Sequence, residues 1–297
     1  MKKTAIILGA FILCSVIPAN AIEKTYDNLK PFNSLEVSSV YEVKLTQGPN
    51  CSLKLDVNDE YFKYVIVEVK DNSLVLKINY SKMPVKMRAM KRQKLIAYVT
   101  MPSLQNLELS GMVQLEASGV FDQPDTDFDC EISGGSKVDG LSINARRADL
   151  ELNGTTSIKM TGSWKSFSTE ISGISKADIS GNADKLEFEV NGSSTLNISG
   201  KYLDIKGEVT GESRININGS AINSTFDISG VSSVNASGLE SENISVDISG
   251  VSKATVNPVK NLRLNVSGVS SVYYVDNDKL HINPLSISGA ASVKAIK

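Results

Sequence analysis

The sequence predicts an all-β chain folded as a parallel β-helix, a solenoid with ~19-residue coils. Three observations carry that prediction. Ten glycines each follow a Ser, Thr or Asn: Gly111, Gly134, Gly154, Gly173, Gly192, Gly211, Gly230, Gly250, Gly268 and Gly289. Their separations are 23, 20, 19, 19, 19, 19, 20, 18 and 21 residues. Apolar residues alternate with polar ones on both sides, as in Leu186, Phe188 and Val190 before Gly192 and Leu196 and Ile198 after it. No helical periodicity of useful length appears. A repeat this short cannot bury its own apolar face, so it must stack on its neighbours.

The chain opens with a leader. Lys2 and Lys3, the mostly apolar residues 5–17 and the small-x-small triplet Ala19-Asn20-Ala21 read as a signal peptide, residues 1–21, cut after Ala21. The apolar run is too short to span a membrane, and no later stretch approaches ~18 apolar residues. Leu13 stands before Cys14 where a lipid-anchored protein carries a small residue, so Cys14 leaves with the leader. Without Lys2 and Lys3, the 31 basic residues fall to 29 against 33 acidic ones, a net charge of −4. No basic excess remains to attract nucleic acid. Cys51 and Cys130 can pair in an oxidising compartment or sit as two buried small side chains.

Residues 22–104 read as a strand-rich N-terminal part holding the first coils. Leu35, Val37, Tyr41, Val43 and Leu45 alternate with polar residues, as do Leu53, Leu55 and Val57, then Leu74, Leu76 and Ile78. Residues 95–99 are apolar throughout and suit a short strand covered on both faces. Gln47-Gly48-Pro49-Asn50 and Asp71-Asn72 mark turns. Residues 81–94 break the pattern, with Lys82, Lys86, Arg88, Lys91, Arg92 and Lys94 around Met83, Met87 and Met90. They read either as a solvated loop or as a basic, Met-bearing patch for an acidic polymer or partner.

Residues 105–297 are the regular repeats. Gly154, Gly173, Gly192, Gly211, Gly230, Gly250 and Gly268 mark structural corners, where a Cβ would resist the backbone angle. A second corner follows eight residues on, at Gly119, Gly162, Gly181, Gly200, Gly219 and Gly238, and leaves a short third side. Successive coils then pair in parallel ~4.8 Å apart, so like residues form columns. Ile, Val, Leu and Ala point inward. Corner serines such as Ser172, Ser229 and Ser249 bond their own turn. Asn197, Asn216 and Asn235 stack as an amide ladder.

Charge follows the same ruler. Three residues before the first eight glycines stand Glu108, Glu131, Glu151, Glu170, Glu189, Glu208, Asp227 and Asp247. Stacked carboxylates repel by about 1 kcal/mol per neighbour in water. Three residues after the glycine, Lys137, Lys176, Arg214 and Lys253 alternate with Ser157, Thr195, Ser233 and Ser271. That spacing holds the cations ~10 Å apart, about one Debye length at ~0.1 M salt. Two devices can offset the acidic repulsion. One is a salt-bridge ladder across the corner; the other is a Ca²⁺ rail on Glu151, Glu170, Glu189 and Glu208. Lys137, Lys176, Arg214 and Lys253 are also the candidate binding face.

Nothing in the sequence assembles a catalytic site, because acids and bases repeat evenly where a lyase or hydrolase would break the pattern. A lone His281 excludes a multi-histidine metal centre and argues against a His-based triad. Trp164 and Tyr273-Tyr274 can stack on sugar rings or serve as packing. No cofactor is called for.

Phe32, Leu35, Val37, Tyr41-Glu42-Val43 and Leu45-Thr46-Gln47-Gly48 precede Val99, Pro102-Ser103-Leu104 and the motif at 107–111. In that order they resemble the putative auto-transporter adhesin, head GIN domain family, secreted proteins abundant in Bacteroidetes. The resemblance runs from about Phe32 to the C-terminus. It implies a secreted, single-stranded, right-handed β-helix with a role in adhesion, and it supplies no catalytic motif. The expected protein is an exported, non-catalytic solenoid in the periplasm, on the surface or outside a Gram-negative cell. Its repetitive polar and charged face would meet a cell-surface glycan or protein by many weak contacts. A structural envelope component is the alternative, and a polysaccharide lyase or hydrolase the third reading. A groove of clustered carboxylates beside an Arg or Lys would favour the enzyme.

Overall fold

The computed structural model describes residues 21–26, 28–88 and 95–297. The expected leader up to Asn20, with Cys14, and Met90, Lys91, Arg92 and Lys94 of the basic segment lie outside the described residues. Parallel coils stack into a β-solenoid of about ten turns. Its centre is built from extended strands of 14–16 residues, from Lys137–Leu152 to Lys253–Val266, each pairing with the next in parallel. One such strand runs almost the whole way round a coil.

The coil of residues 176–194 shows how. Residues 176–180 form a leading face, with Ala177 and Ile179 turned inward. Residues 182–184 form a short face with only Ala183 inside, and residues 185–190 a trailing face with Leu186, Phe188 and Val190 inside. The period of two sends the intervening polar side chains outward. Burial of each large apolar side chain contributes roughly 1.5–3 kcal/mol, so the inward columns supply most of the stability.

On the short face the inward column alternates large and small, as Trp164, Ala183, Tyr202 and Ala221. The Tyr202 hydroxyl donates to the Gly181 carbonyl at 3.0 Å. Trp164 is 6% exposed and its ring lies 4.7 Å from that of Phe167, so it packs the core rather than stacking on a sugar. The corner at Asn191-Gly192-Ser193-Ser194 closes the coil. Gly192 has a φ of +80°, and the Gly173 carbonyl accepts both the Ser193 N–H at 2.9 Å and the Ser194 hydroxyl at 3.2 Å. Buried hydroxyls at Ser136, Thr156, Ser175, Ser194, Ser213, Ser232, Ser252 and Ser270 continue this position from coil to coil. Of the expected asparagine ladder, the Asn197 amide donates to Asp178 and that of Asn216 to Asn197, while Asn235 turns to Ser237 instead. A second amide ladder joins Asp204, Asn223, Asn243 and Asn261.

The first coil is residues 34–47. Strand Ser34–Ser39 pairs with Asn106–Gly111, and Glu42–Gln47 with Gln114–Ser118. Ser39 occupies the corner with a φ of +92°, the place glycine takes in later coils. Residues 48–104 are an insertion that mixes antiparallel pairs, Ser52–Asn58 with Ala21–Tyr26 and with Leu95–Met101 and Val65–Lys70 with Ser73–Ile78, with parallel ones, since Ser73–Ile78 and Leu95–Met101 also stack on Ser34–Ser39 and Glu42–Gln47 of the first coil. Two expectations are corrected here. Strand Leu95–Met101 is covered on one face only, because the antiparallel register leaves Tyr98 beside Lys54 on the outside. The described part of the basic segment is not a free loop. Met83 is buried, and the Arg88 guanidinium donates to the Met83 carbonyl at 2.9 Å, so residues 80–88 close one end of the core while Lys82 and Lys86 face water.

Cys130 is buried, which pushes its thiol pKa well up, and Cys51 is half-buried; both are free thiols. Among the described residues, no helix is long and apolar enough to cross a membrane. Strands His281–Ile287 and Ser292–Ile296 make the last coil, pairing with Lys253–Val266 and Ser271–Val275.

Candidate functional site

The parallel register fixes two charged columns, one on each side of the glycine corner. On the leading face, Lys137, Ser157, Lys176, Thr195, Arg214, Ser233, Lys253 and Ser271 follow one another residue on residue. Cations thus recur at every second coil. On the trailing face, Glu108, Glu131, Glu151, Glu170, Glu189, Glu208, Asp227 and Asp247 stack in the same way. Glu36 adds a ninth carboxylate beneath Glu108. Counting from glycine misses it, because Ser39 holds that corner; the signal was Glu36 three residues before Ser39, the second of a Ser-Ser pair.

The two columns do not meet. The four-residue corner swings the faces apart, so outward side chains on either side of it diverge, and ion pairs form within each face. On the leading face, Lys137 reaches Asp139 at 3.7 Å and Lys176 reaches Asp178 at 3.0 Å. Arg214 has no ion-pair partner among the described residues, and Lys253 lies over the Tyr273 ring at 4.8 Å. On the trailing face, Lys206 holds Glu208 at 2.7 Å and Glu187 at 3.5 Å. The salt-bridge ladder across the corner is therefore absent among the described residues, and Glu208 is the one member of the acidic column with a cation. Glu151 and Glu189 accept instead from the amides of Asn153 and Asn191 at 2.6 and 3.0 Å.

Of the carboxylates named for a calcium rail, Glu151 and Glu170 line the acidic groove, and Glu170, Glu189 and Glu208 a smaller one beside it. Among the described residues, no three His, Cys, Asp or Glu side chains are grouped to hold a metal ion.

The acidic groove lies at the N-terminal end of the column. It has a volume of about 380 Å³ and is lined by Glu108, Asp129, Glu131, Asp149, Glu151 and Glu170. Arg147 borders it, 2.7 Å from Asp149 and 3.6 Å from Asp129. Partial burial, then the charges of Glu36 and Glu131, push the Glu108 pKa up. Burial likewise raises Asp149, against the opposing pull of Arg147. His281 is exposed, and Tyr273 and Tyr274 are half-buried.

A family model described as putative auto-transporter adhesin, head GIN domain, matches residues 31–199 and 175–277. Among solved structures, a putative adhesin from Parabacteroides distasonis is similar over 94% of this chain and 98% of its own, with 19% identity and a TM-score of 0.53. A putative adhesin from Parabacteroides merdae covers the same shares at 15% identity and a TM-score of 0.48. A putative lipid binding protein from Parabacteroides distasonis does so at 13% and 0.48. No curated protein matches the sequence.

Proposed function

The chain belongs to the putative auto-transporter adhesin, head GIN domain family, and on that premise we propose that it is an exported, non-catalytic adhesin. Its leading face would bind a cell-surface glycan or protein. One observation carries this reading: cations spaced every second coil along an exposed sheet, with hydroxyls between them and, among the described residues, no acidic column opposed to them. A polymer with a repeating anionic or polar group can engage several rungs at once, so weak contacts multiply. Replacing Lys137, Lys176, Arg214 and Lys253 together by alanine should lower binding to an array of glycans and surface proteins by about tenfold or more. All four are surface residues, so the melting temperature should hold. Undiminished binding by that variant would remove the leading face from the reading.

The acidic groove favours a second reading, a polysaccharide-active enzyme, since it stacks carboxylates on coils ~4.8 Å apart beside Arg147. Glu108→Gln separates the two. The raised pKa of Glu108 means that its charge opposes folding above the folded pKa, and that this penalty fades as pH falls into the ordinary carboxylate range. Glu108→Gln should therefore melt higher than the parent chain at neutral pH, with the difference closing near pH ~4. If the chain is an adhesin, neither form releases reducing ends from polysaccharides. Release by the parent that Glu108→Gln abolishes would establish the enzyme.

A further inference from the structure

We propose that the leading face takes an acidic polysaccharide, with a carboxylate or sulfate on alternate sugars, and takes it on residues 195–273 alone. This rests on the leading face being the contact surface. The face divides in two. Before Thr195 every outward lysine on it is neutralised: Lys44 lies 2.8 and 2.6 Å from Glu42 and Glu116, Lys137 and Lys159 lie 3.7 and 3.4 Å from Asp139, and Lys176 lies 3.0 Å from Asp178. From Thr195 to Tyr273 the outward positions hold hydroxyls, amides, Arg214 and Lys253, and no carboxylate. Glu212 stands on the corner two residues before Arg214 and makes no ion pair with it among the described residues. Both cations are exposed, and Lys253 is held over the Tyr273 ring at 4.8 Å, a contact that steadies the ammonium without cancelling its charge.

The uncharged groups between the cations are open as well. The Asn197 amide donates to Asp178 and the Asn216 amide to Asn197, and there the ladder stops. Asn235 accepts instead from the N–H and hydroxyl of Ser237. Among the described residues, the Asn216 carbonyl oxygen and the Asn235 amide nitrogen are thereby left to solvent or a ligand. Asn216 shares the coil of Arg214, and Asn235 lies on the next, ahead of Lys253. One acceptor and one donor suit a sugar hydroxyl, which both gives and takes a hydrogen bond.

Spacing selects the class of partner. Coils repeat every ~4.8 Å, so Arg214 and Lys253, two coils apart, are separated by ~9.6 Å along the axis. An extended β-linked polysaccharide advances by about one coil per sugar. An acid on alternate sugars then keeps step with the cations, and the sugar between them meets Ser233 and Asn235. An extended acidic peptide does not keep step, because its side chains on one face recur every ~6.6 Å. Each exposed ion pair is weak and screened by salt, and one polymer engaging both makes them reinforce each other.

Calorimetric titration with hyaluronan, which carries a carboxylate on every second sugar, tests the proposal, with poly-glutamate as the acidic peptide and dextran as the neutral glycan. Hyaluronan should bind more tightly than either. Arg214→Ala with Lys253→Ala should raise its Kd about tenfold or more, whereas Lys137→Ala with Lys176→Ala should change it less than about twofold. Asp178→Asn keeps an acceptor for the Asn197 amide and frees Lys176, two coils from Arg214, so it should add a rung and tighten binding about threefold. Equal losses from the two double variants, an unchanged Kd in Asp178→Asn, or poly-glutamate or dextran binding as tightly as hyaluronan overturns the proposal. So does a parent chain that binds no hyaluronan while the fourfold alanine variant still loses binding on the array of glycans and surface proteins; the leading face then stands and its acidic polysaccharide falls. Undiminished array binding by the fourfold variant removes the leading face itself, and the proposal with it.

Discussion

Alanine at Gly200 is expected to cost about 4 kcal/mol or more and to leave the solenoid without a cooperative melt at its normal temperature. The added Cβ would stand 1.7 Å from the Gly181 carbonyl oxygen and 2.7 Å from the Tyr202 hydroxyl. The obstacle is backbone of the preceding coil, not the tip of a flexible side chain. That coil cannot yield, because Gly181 is itself seated on Gly162, where a Cβ would meet the carbonyl oxygen at 2.1 Å. Shifting one coil means shifting the stack. Gly135→Ala is the control. Its Cβ would find Met112 Cγ at 3.6 Å, ordinary contact, and should be neutral or stabilising by about 0.5 kcal/mol. Thermal melts followed by circular dichroism compare the pair. If Gly200→Ala melts within about 2 °C of the parent chain, the close approach of the coils at the second corner is wrong.

The second large effect is expected at a glycine that is no corner at all. Gly207 faces inward on the trailing face, between Phe188 and Phe226, whose ring centroids are 6.4 Å apart. A Cβ there would stand 2.1 Å from Phe188 Cζ. The ring is buried, and so is Thr169, its neighbour in the preceding coil, so it sits in a filled interior. Gly207→Ala should overpack the core by about 2–3 kcal/mol, read from urea unfolding with an unchanged slope. Phe188→Leu in the same chain should return part of that loss, since the two positions share one space. Additive costs in the double variant would show that they do not.

These two glycines also mark how far the residues alone could be read. The corner at Gly192 was legible, because a positive φ selects glycine and the selection repeats with every coil. So were the columns of Leu186, Phe188 and Val190, since period two and period ~19 together fix what stacks on what. Gly207 was not legible: on paper it is one more glycine in a β-rich run, and its reason lies 19 residues away in the ring of Phe188. The buried hydroxyls at Ser175 and Ser194 were written plainly as Gly-x-Ser, yet their inward turn depends on the corner geometry. That geometry also undid the expected pairing of Lys176 with the acidic column. Spacing gave both residues correctly, but the angle between faces is set by the turn. The insertion at 48–104 escaped the ruler because residues 79–94 separate its two coil-forming strands, Ser73–Ile78 and Leu95–Met101, with no glycine corner between them, and Ser39 hid the first coil by standing where glycine was sought.

The insertion has a cost in chain entropy. Lys44 meets Glu116 across 72 residues, whereas neighbours in later coils, such as Ser172 and Asn153, meet across 19. Loop-closure entropy grows as the logarithm of that separation, so closing the first coil costs ~1 kcal/mol more than closing any later one. Coils 137–266 can zip one on another from a local start, while the first coil waits for the whole insertion to fold between its end and its partner. The segment that covers one end of the rod is thereby the one whose own attachment is statistically dearest, and its antiparallel strands, with Tyr61 and Met83 beneath them, supply the compensating contacts.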